Sequence, residues 1–176
     1  PAALPAPWQT SLGSRFSPLD DHRLGESSGG LAVRDDPTIN SWRLRLGEIP
    51  MRELVEVQAV NAIAPAVLSN ALRPLLERPP ETDRWLVFVS APAGQFGYRK
   101  KSVRHPHTNM AKAAVNMLVR TAAPDWARSR IWMTAVDPGW VSNQNPPAMA
   151  ADQEARGLVL PLDVEDGAAR VLDPIE

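Results

Sequence analysis

"WLVFVS" (residues 85–90) is an almost unbroken apolar run of strand length. A strand with one face in water alternates apolar and polar residues, so a run with no polar face predicts a strand covered on both sides in a parallel sheet. "IWMTAV" (131–136) is a second run of the same kind. Parallel neighbours need a long crossover, and the intervening residues provide one. The basic loop "GYRKKSVRHPH" leads into a helix predicted over 109–123, with Met110, Ala113, Ala114, Met117, Leu118 and Thr121 on one stripe. Upstream, Pro50 stands where a first helical turn tolerates proline. It is followed by "MRELVEVQAVNAIAPAVLSNALRPLL", in which Leu54, Val57, Val60, Ile63, Val67, Leu68 and Leu72 recur at helical spacing. Pro65 removes a backbone hydrogen bond inside that helix, which predicts a kink or break near Ala62.

Helix, strand, helix, strand implies an α/β fold with helices on the faces of a parallel sheet. Ligands of such sheets sit at the carboxyl ends of the strands, here "SAPAG" (90–94) and "DPGWVSN" (137–143). "VEDGAARVLDP" predicts a short terminal helix stopped by proline. Residues 1–47 show neither period and are rich in Pro, Gly, Ser and Asp, with "NSWRLRL" (40–46) the one strand-like alternation. The chain therefore divides into an irregular segment, 1–47, and an α/β portion, 48–176.

Composition narrows the function classes. Lys and Arg number 19 against 20 Asp and Glu, so no global field gathers nucleic acid or an anionic membrane. No stretch approaches the roughly 18 consecutive apolar residues of a membrane span. With 0 cysteines there is no disulfide, thiolate metal site or cysteine nucleophile, which fits a reducing compartment and a cytoplasmic location. The 18 prolines predict long irregular connections. The opening "PAALPAPWQT" has neither an initiating Met nor a signal pattern, as expected of a processed chain or a piece of a larger one.

Four segments in this order resemble the C-terminal two thirds of a short-chain dehydrogenase/reductase, over about residues 50–172: "VNAIAPAVLSNALRPLL", "VFVSAPAG", "TNMAKAAVNMLVRT" and "VDPGWVSN". The resemblance implies a Rossmann-like parallel sheet with flanking helices, incomplete because the N-terminal cofactor half is missing. It implies NAD or NADP as cofactor in the complete protein, with binding by this chain alone doubtful. The implied reaction is hydride transfer at a hydroxyl or carbonyl carbon. In the family a phenol is the acid or base, a lysine lowers its pKa, a serine orients the substrate oxygen, and an asparagine completes the set.

Carried over by position, Asn61 and Lys112 match the asparagine and lysine, whereas Thr108 stands at the tyrosine position and Ala91 at the serine position. An aliphatic hydroxyl is a far weaker acid than a phenol of pKa about 10, so ordinary turnover is expected to be impaired. The resemblance also implies cofactor contacts from Lys112, Ser90, Pro138, Gly139 and Val141. Ser90 is expected on the opposite strand face from Ala91. The glycine-rich stretch "LGESSGGL" (24–31) follows no strand and reads as a flexible turn rather than a phosphate loop.

A substitute acid would have to come from the loop above the strand. Tyr98, the 1 tyrosine of the chain, and His107 are the candidates; a solvated loop is the alternative. His105 and His107 invite a metal reading, but a His-Pro-His pair with no third ligand nearby does not support one. Arg99, Lys100, Lys101 and Arg104 read as a solvated basic loop. Ala111, Ala113 and Ala114 are small enough to let another helix approach, by resemblance a route to a homo-oligomer through the 109–123 helix. The chain thus reads as an oxidoreductase with a depleted site and an unknown small-molecule substrate. The alternative is a non-catalytic binding or scaffold protein of the same fold.

Overall fold

The computed structural model describes residues 38–78 and 81–175; the glycine-rich turn at 24–31 lies outside them. Strand β1 (Arg84–Val89) and strand β2 (Ile131–Val136) pair in parallel, in register from Arg84 opposite Ile131 to Val89 opposite Val136. The bond from Ser90 N–H to the Val136 carbonyl, 2.7 Å, carries the pairing one residue further. Between the strands runs helix α3 (Pro106–Trp126), 21 residues long.

The strands are apolar on both sides, yet among the described residues only one side is covered. Phe88, Ile131 and Met133 pack with Val115, Val119 and Trp126 of α3 to form the buried core. Val89 and Trp132, on the opposite face, remain 45% and 44% exposed. The expectation of strands covered on both faces is therefore corrected: a two-stranded sheet with its helices on one side leaves the other side open.

Helix α3 also turns a different side inward from the one its Met110–Ala113–Met117 stripe suggests. Its buried residues are His107, Ala111, Val115, Val119 and Trp126, while Met110 and Met117 are exposed. Both stripes are apolar; the one with small and β-branched residues lets the helix lie closer to the sheet. The same closeness recurs at the buried turn Pro92–Gly94, where a Cβ on Gly94 would stand 2.7 Å from the Lys112 carbonyl carbon. Ala111 is thus spent on the chain's own core and is not available to a second helix.

The long upstream helix appears as α1 (Met51–Gln58) and α2 (Ala64–Leu76), joined by a π turn over Ala59–Ile63. The Ala64 N–H bonds the Ala59 carbonyl, five residues back, just before the proline that has no N–H to give. The kink expected near Ala62 is this bulge. Contrary to the periodicity argument, Val60, Ile63, Val67, Leu68 and Leu72 are exposed; Ser69, which bonds the Pro65 carbonyl at 2.7 Å, is buried. An 18-residue window within Met51–Leu76 has a mean hydropathy of 1.2, so the helix is long and apolar enough by length and composition to cross a membrane. In this fold α1 and the π turn lie against α3, and α2 touches β1.

The strand-like stretch 40–46 is not a strand. It forms one 3₁₀ turn at Ser41–Arg43 and a single antiparallel bridge between Arg45 and Arg104. After β2 comes helix α4 (Pro147–Ala155), unforeseen although Pro147 opens it. Helix α5 (Val164–Leu172) follows where expected, its start closed by reciprocal bonds between Asp163 and Asp166.

Candidate functional site

At the carboxyl end of β1 a cavity of about 150 Å³ is lined by Asn61 from the π turn, Ala91 from the loop, Thr108 and Lys112 from α3, and Trp42 from the Ser41–Arg43 turn. The four positions singled out in the sequence thus converge on one space. Thr108 and Lys112 share a helix face because they are four residues apart. Asn61 reaches the cavity because the π turn inserts one residue ahead of Pro65. A second cleft of about 290 Å³ shares Asn61 and Lys112 and runs between α2 and β1.

The Lys112 ammonium donates to the Val89 carbonyl at 2.8 Å, and burial pushes its pKa below the ordinary value. Strand alternation turns that carbonyl away from β2, toward the edge of β1 that is unpaired among the described residues. Asn61 Nδ2 donates to the Val57 carbonyl at 3.3 Å. Ala91 contributes only a methyl group. The Ser90 hydroxyl is buried and donates to Asn116 Oδ1 at 2.6 Å, on the face opposite Ala91 as strand alternation requires.

Thr108 donates to the His105 carbonyl at 2.8 Å and stands 3.1 Å from His105 Nδ1. His105 is the residue before helix α3 and holds a left-handed φ of 42°. Its ring stacks on Trp42 with centroids 4.0 Å apart and planes 3° from parallel, and its N–H donates to the Leu44 carbonyl at 2.8 Å. Burial is the main cause that lowers its pKa, with the neighbouring His107 adding to the effect and Asn109 opposing it.

His107 goes elsewhere. It is 1% exposed, with its Nε2 3.9 Å from Glu53 Oε1 of α1, and it does not line the cavity. One residue along a helix turns a side chain by about 100°, which separates it from Thr108. Tyr98 is exposed on its loop and does not line the cavity either. Neither folds over Lys112. The two histidines point to different partners, Trp42 and Glu53, and so do not converge on a metal. In the basic loop, Lys101 donates to the Ala93 carbonyl at 3.1 Å.

Pro138, Gly139 and Val141 lie in the loop after β2 and do not line this cavity. Gly139 has φ 82°, and its N–H donates to Asp137 Oδ1 at 2.9 Å; a Cβ there would stand 2.7 Å from Arg170 Nη1. Val141 packs where Gly167 has no side chain. Further on, Asn143 and Asn145 both donate to Gln153 Oε1 of α4, at 3.0 and 3.2 Å. Arg43 donates to Asn145 Oδ1 at 3.3 Å and Asn40 to the Gln144 carbonyl at 2.8 Å. The loop is thereby tied to the segment that carries Trp42.

Trp42 and His105 are the site residues that sequence reasoning missed in these roles. Trp42 lies 63 positions from His105 (105 − 42), and no periodicity joins residues across such a distance. His105 carried a signal, its titration near neutrality, but the sequence gives no direction for its ring.

Comparison with known proteins follows the same segments. A family model described as Enoyl-(Acyl carrier protein) reductase matches residues 39–166. The chain is 28% identical over 179 residues to "Uncharacterized protein R665" of Acanthamoeba polyphaga mimivirus, covering 97% of this chain and 34% of that protein. It is 33% identical over 133 residues to "Short-chain dehydrogenase srdF" of Neurospora crassa, covering 73% of this chain and 50% of the relative. The chain thus spans between a third and a half of the relatives it matches. Among solved structures, the NADPH-bound carbonyl reductase from chicken fatty liver superposes with a TM-score of 0.52 at 24% identity. The match covers 58% of this chain and 42% of that one, a likeness of fold.

Proposed function

The chain belongs to the short-chain dehydrogenase/reductase family, and from that premise we propose that it carries the substrate-side portion of an NAD- or NADP-dependent oxidoreductase acting at a hydroxyl or carbonyl carbon. The observation that carries this reading is the convergence of Asn61, Ala91, Thr108 and Lys112 on one cavity at the end of β1. A nicotinamide cofactor, when bound, supplies or takes the hydride.

The residues present fit the nicotinamide end of such a cofactor. Lys112 has three ammonium protons, of which the Val89 carbonyl takes one, so two remain for ribose hydroxyls. Turnover at this site is slow. Ala91 cannot orient a substrate oxygen, and Thr108 cannot by itself replace a phenol. The substrate is a small molecule whose carbonyl or carbinol carbon fits beside Thr108.

Titrating NADH and NADPH against the chain, followed by fluorescence, tests the reading. Saturable binding by this chain, or by a longer protein that carries it, that is lost in Lys112→Ala supports it; no binding of either nucleotide by this chain or by the longer protein overturns it. The missing serine hydroxyl at Ala91 favours a second reading, a fold kept for recognition without turnover. That reading expects binding of nucleotide with no oxidation or reduction of any alcohol or carbonyl compound. We further propose a homo-oligomer through α3, with Met110 and Met117 as its outward face. Light scattering of Met110→Lys and Met117→Lys checks it, an unchanged particle mass counting against that face.

A further inference from the structure

We propose that the cavity at the end of β1 is a subsite for one apolar ring, with Trp42 as the residue that sets its size. The inference rests on the oxidoreductase reading and names the substrate class. That class is a small alcohol or carbonyl compound whose hydrophobic ring enters the cavity while its oxygen stays outside.

Four of the lining residues are polar, Asn61, Thr108, Asn109 and Lys112, yet the wall is almost wholly apolar. Each turns its polar end elsewhere. The Thr108 hydroxyl donates to the His105 carbonyl at 2.8 Å, and the Asn109 side chain is directed to the His105 ring. Asn61 donates to the Val57 carbonyl at 3.3 Å and Lys112 to the Val89 carbonyl at 2.8 Å. What these four present inward is carbon, beside the methyl groups of Ala91 and Ala93 and the Trp42 ring. A polar group placed there gives up its water without gaining a partner, whereas an apolar group gains by leaving water.

Size narrows the class further. The volume is about 150 Å³, and an engineered apolar cavity of about that volume stays dry and takes up benzene. Trp42 bounds the space and is fixed from behind, one face stacked on the His105 ring with centroids 4.0 Å apart and planes 3° from parallel. Its neighbours Asn40 and Arg43 donate to the Gln144 carbonyl at 2.8 Å and to Asn145 Oδ1 at 3.3 Å. A wall tied at several points does not recede to admit a larger ligand. At the Ala91 position a longer side chain takes up the same space that the ring would fill.

The test is a titration of the full chain with benzene, which needs no nucleotide. The indole N–H resonance of Trp42, identified by its absence in Trp42→Phe, is followed by ¹H–¹⁵N spectroscopy. Saturable movement is expected with benzene and none with glycerol at equal concentration; a resonance that benzene leaves in place overturns the proposal. Ala91→Leu is expected to weaken benzene binding roughly tenfold or more, and equal affinity overturns the assignment. Should that variant not fold, Trp42→Ala decides. Enlarging the space is expected to raise the affinity for naphthalene relative to benzene by roughly tenfold or more, and an unchanged ratio overturns the role of Trp42. Cyclohexanone is expected to displace benzene where dihydroxyacetone does not; cyclohexanone that leaves benzene bound overturns the substrate class. Benzene binding without nucleotide binding supports the subsite and removes the oxidoreductase reading, whereas nucleotide binding without benzene binding removes the subsite alone.

Discussion

Replacing Gly94 with alanine would put a methyl carbon 2.7 Å from the Lys112 carbonyl carbon and 3.0 Å from the Ala113 nitrogen, backbone atoms that cannot swing aside. The turn must then lift from α3 and take the Ala91–Ala93 wall of the cavity with it. Gly94→Ala is expected to cost about 1–3 kcal/mol, as overpacking does, and to weaken NADPH binding; urea unfolding and a nucleotide titration read the two effects. His107 makes a different test. Its pKa is lowered mainly by burial, with Glu53 opposing, so the unfolded chain binds the proton more readily than the folded one. The stability it contributes is complete above about pH 6.5 and is lost as pH falls through the lower folded value. Thermal melts followed by circular dichroism should show a Tm that drops on acidification. The drop should be smaller in His107→Leu, and an unchanged slope would remove His107 from the account.

Among the elements, the strands were legible to within a residue because an apolar run of six has few alternatives. The proline bulge was legible too, since a missing N–H forces a local answer. The faces of α3 and of Met51–Leu76 were not. Each carries two apolar stripes, and which one turns inward depends on what the rest of the fold places against it. At the site, Lys112 and Thr108 followed from spacing along one helix, whereas Trp42 is brought in by the 40–46 segment crossing over the start of α3. The one-sided sheet makes an element-scale prediction. Ile131, 0% exposed, faces the covered side; Ile131→Ala should cost about 2–4 kcal/mol. Val89 faces the open side, and Val89→Thr should stay within about 0.5 kcal/mol. Equal costs in chemical denaturation would mean that both faces are packed.

At the scale of the whole molecule, the described residues form two paired strands, with helices on one side of the sheet and an apolar row on the outer side of α2. That is much hydrophobic surface for one chain to leave in water. An edge strand with bare N–H and C=O groups is also a template on which another extended chain can add. Lys112 meets that hazard directly. Its ammonium occupies the Val89 carbonyl, the last acceptor on the edge of β1 that is unpaired among the described residues, and sets a positive charge where an incoming strand would have to register. A charge at that position is expected to oppose the addition of a further strand. Lys112→Met should scatter light sooner than the wild type at equal concentration and incubation, and equal lag times would show that the edge needs no such guard.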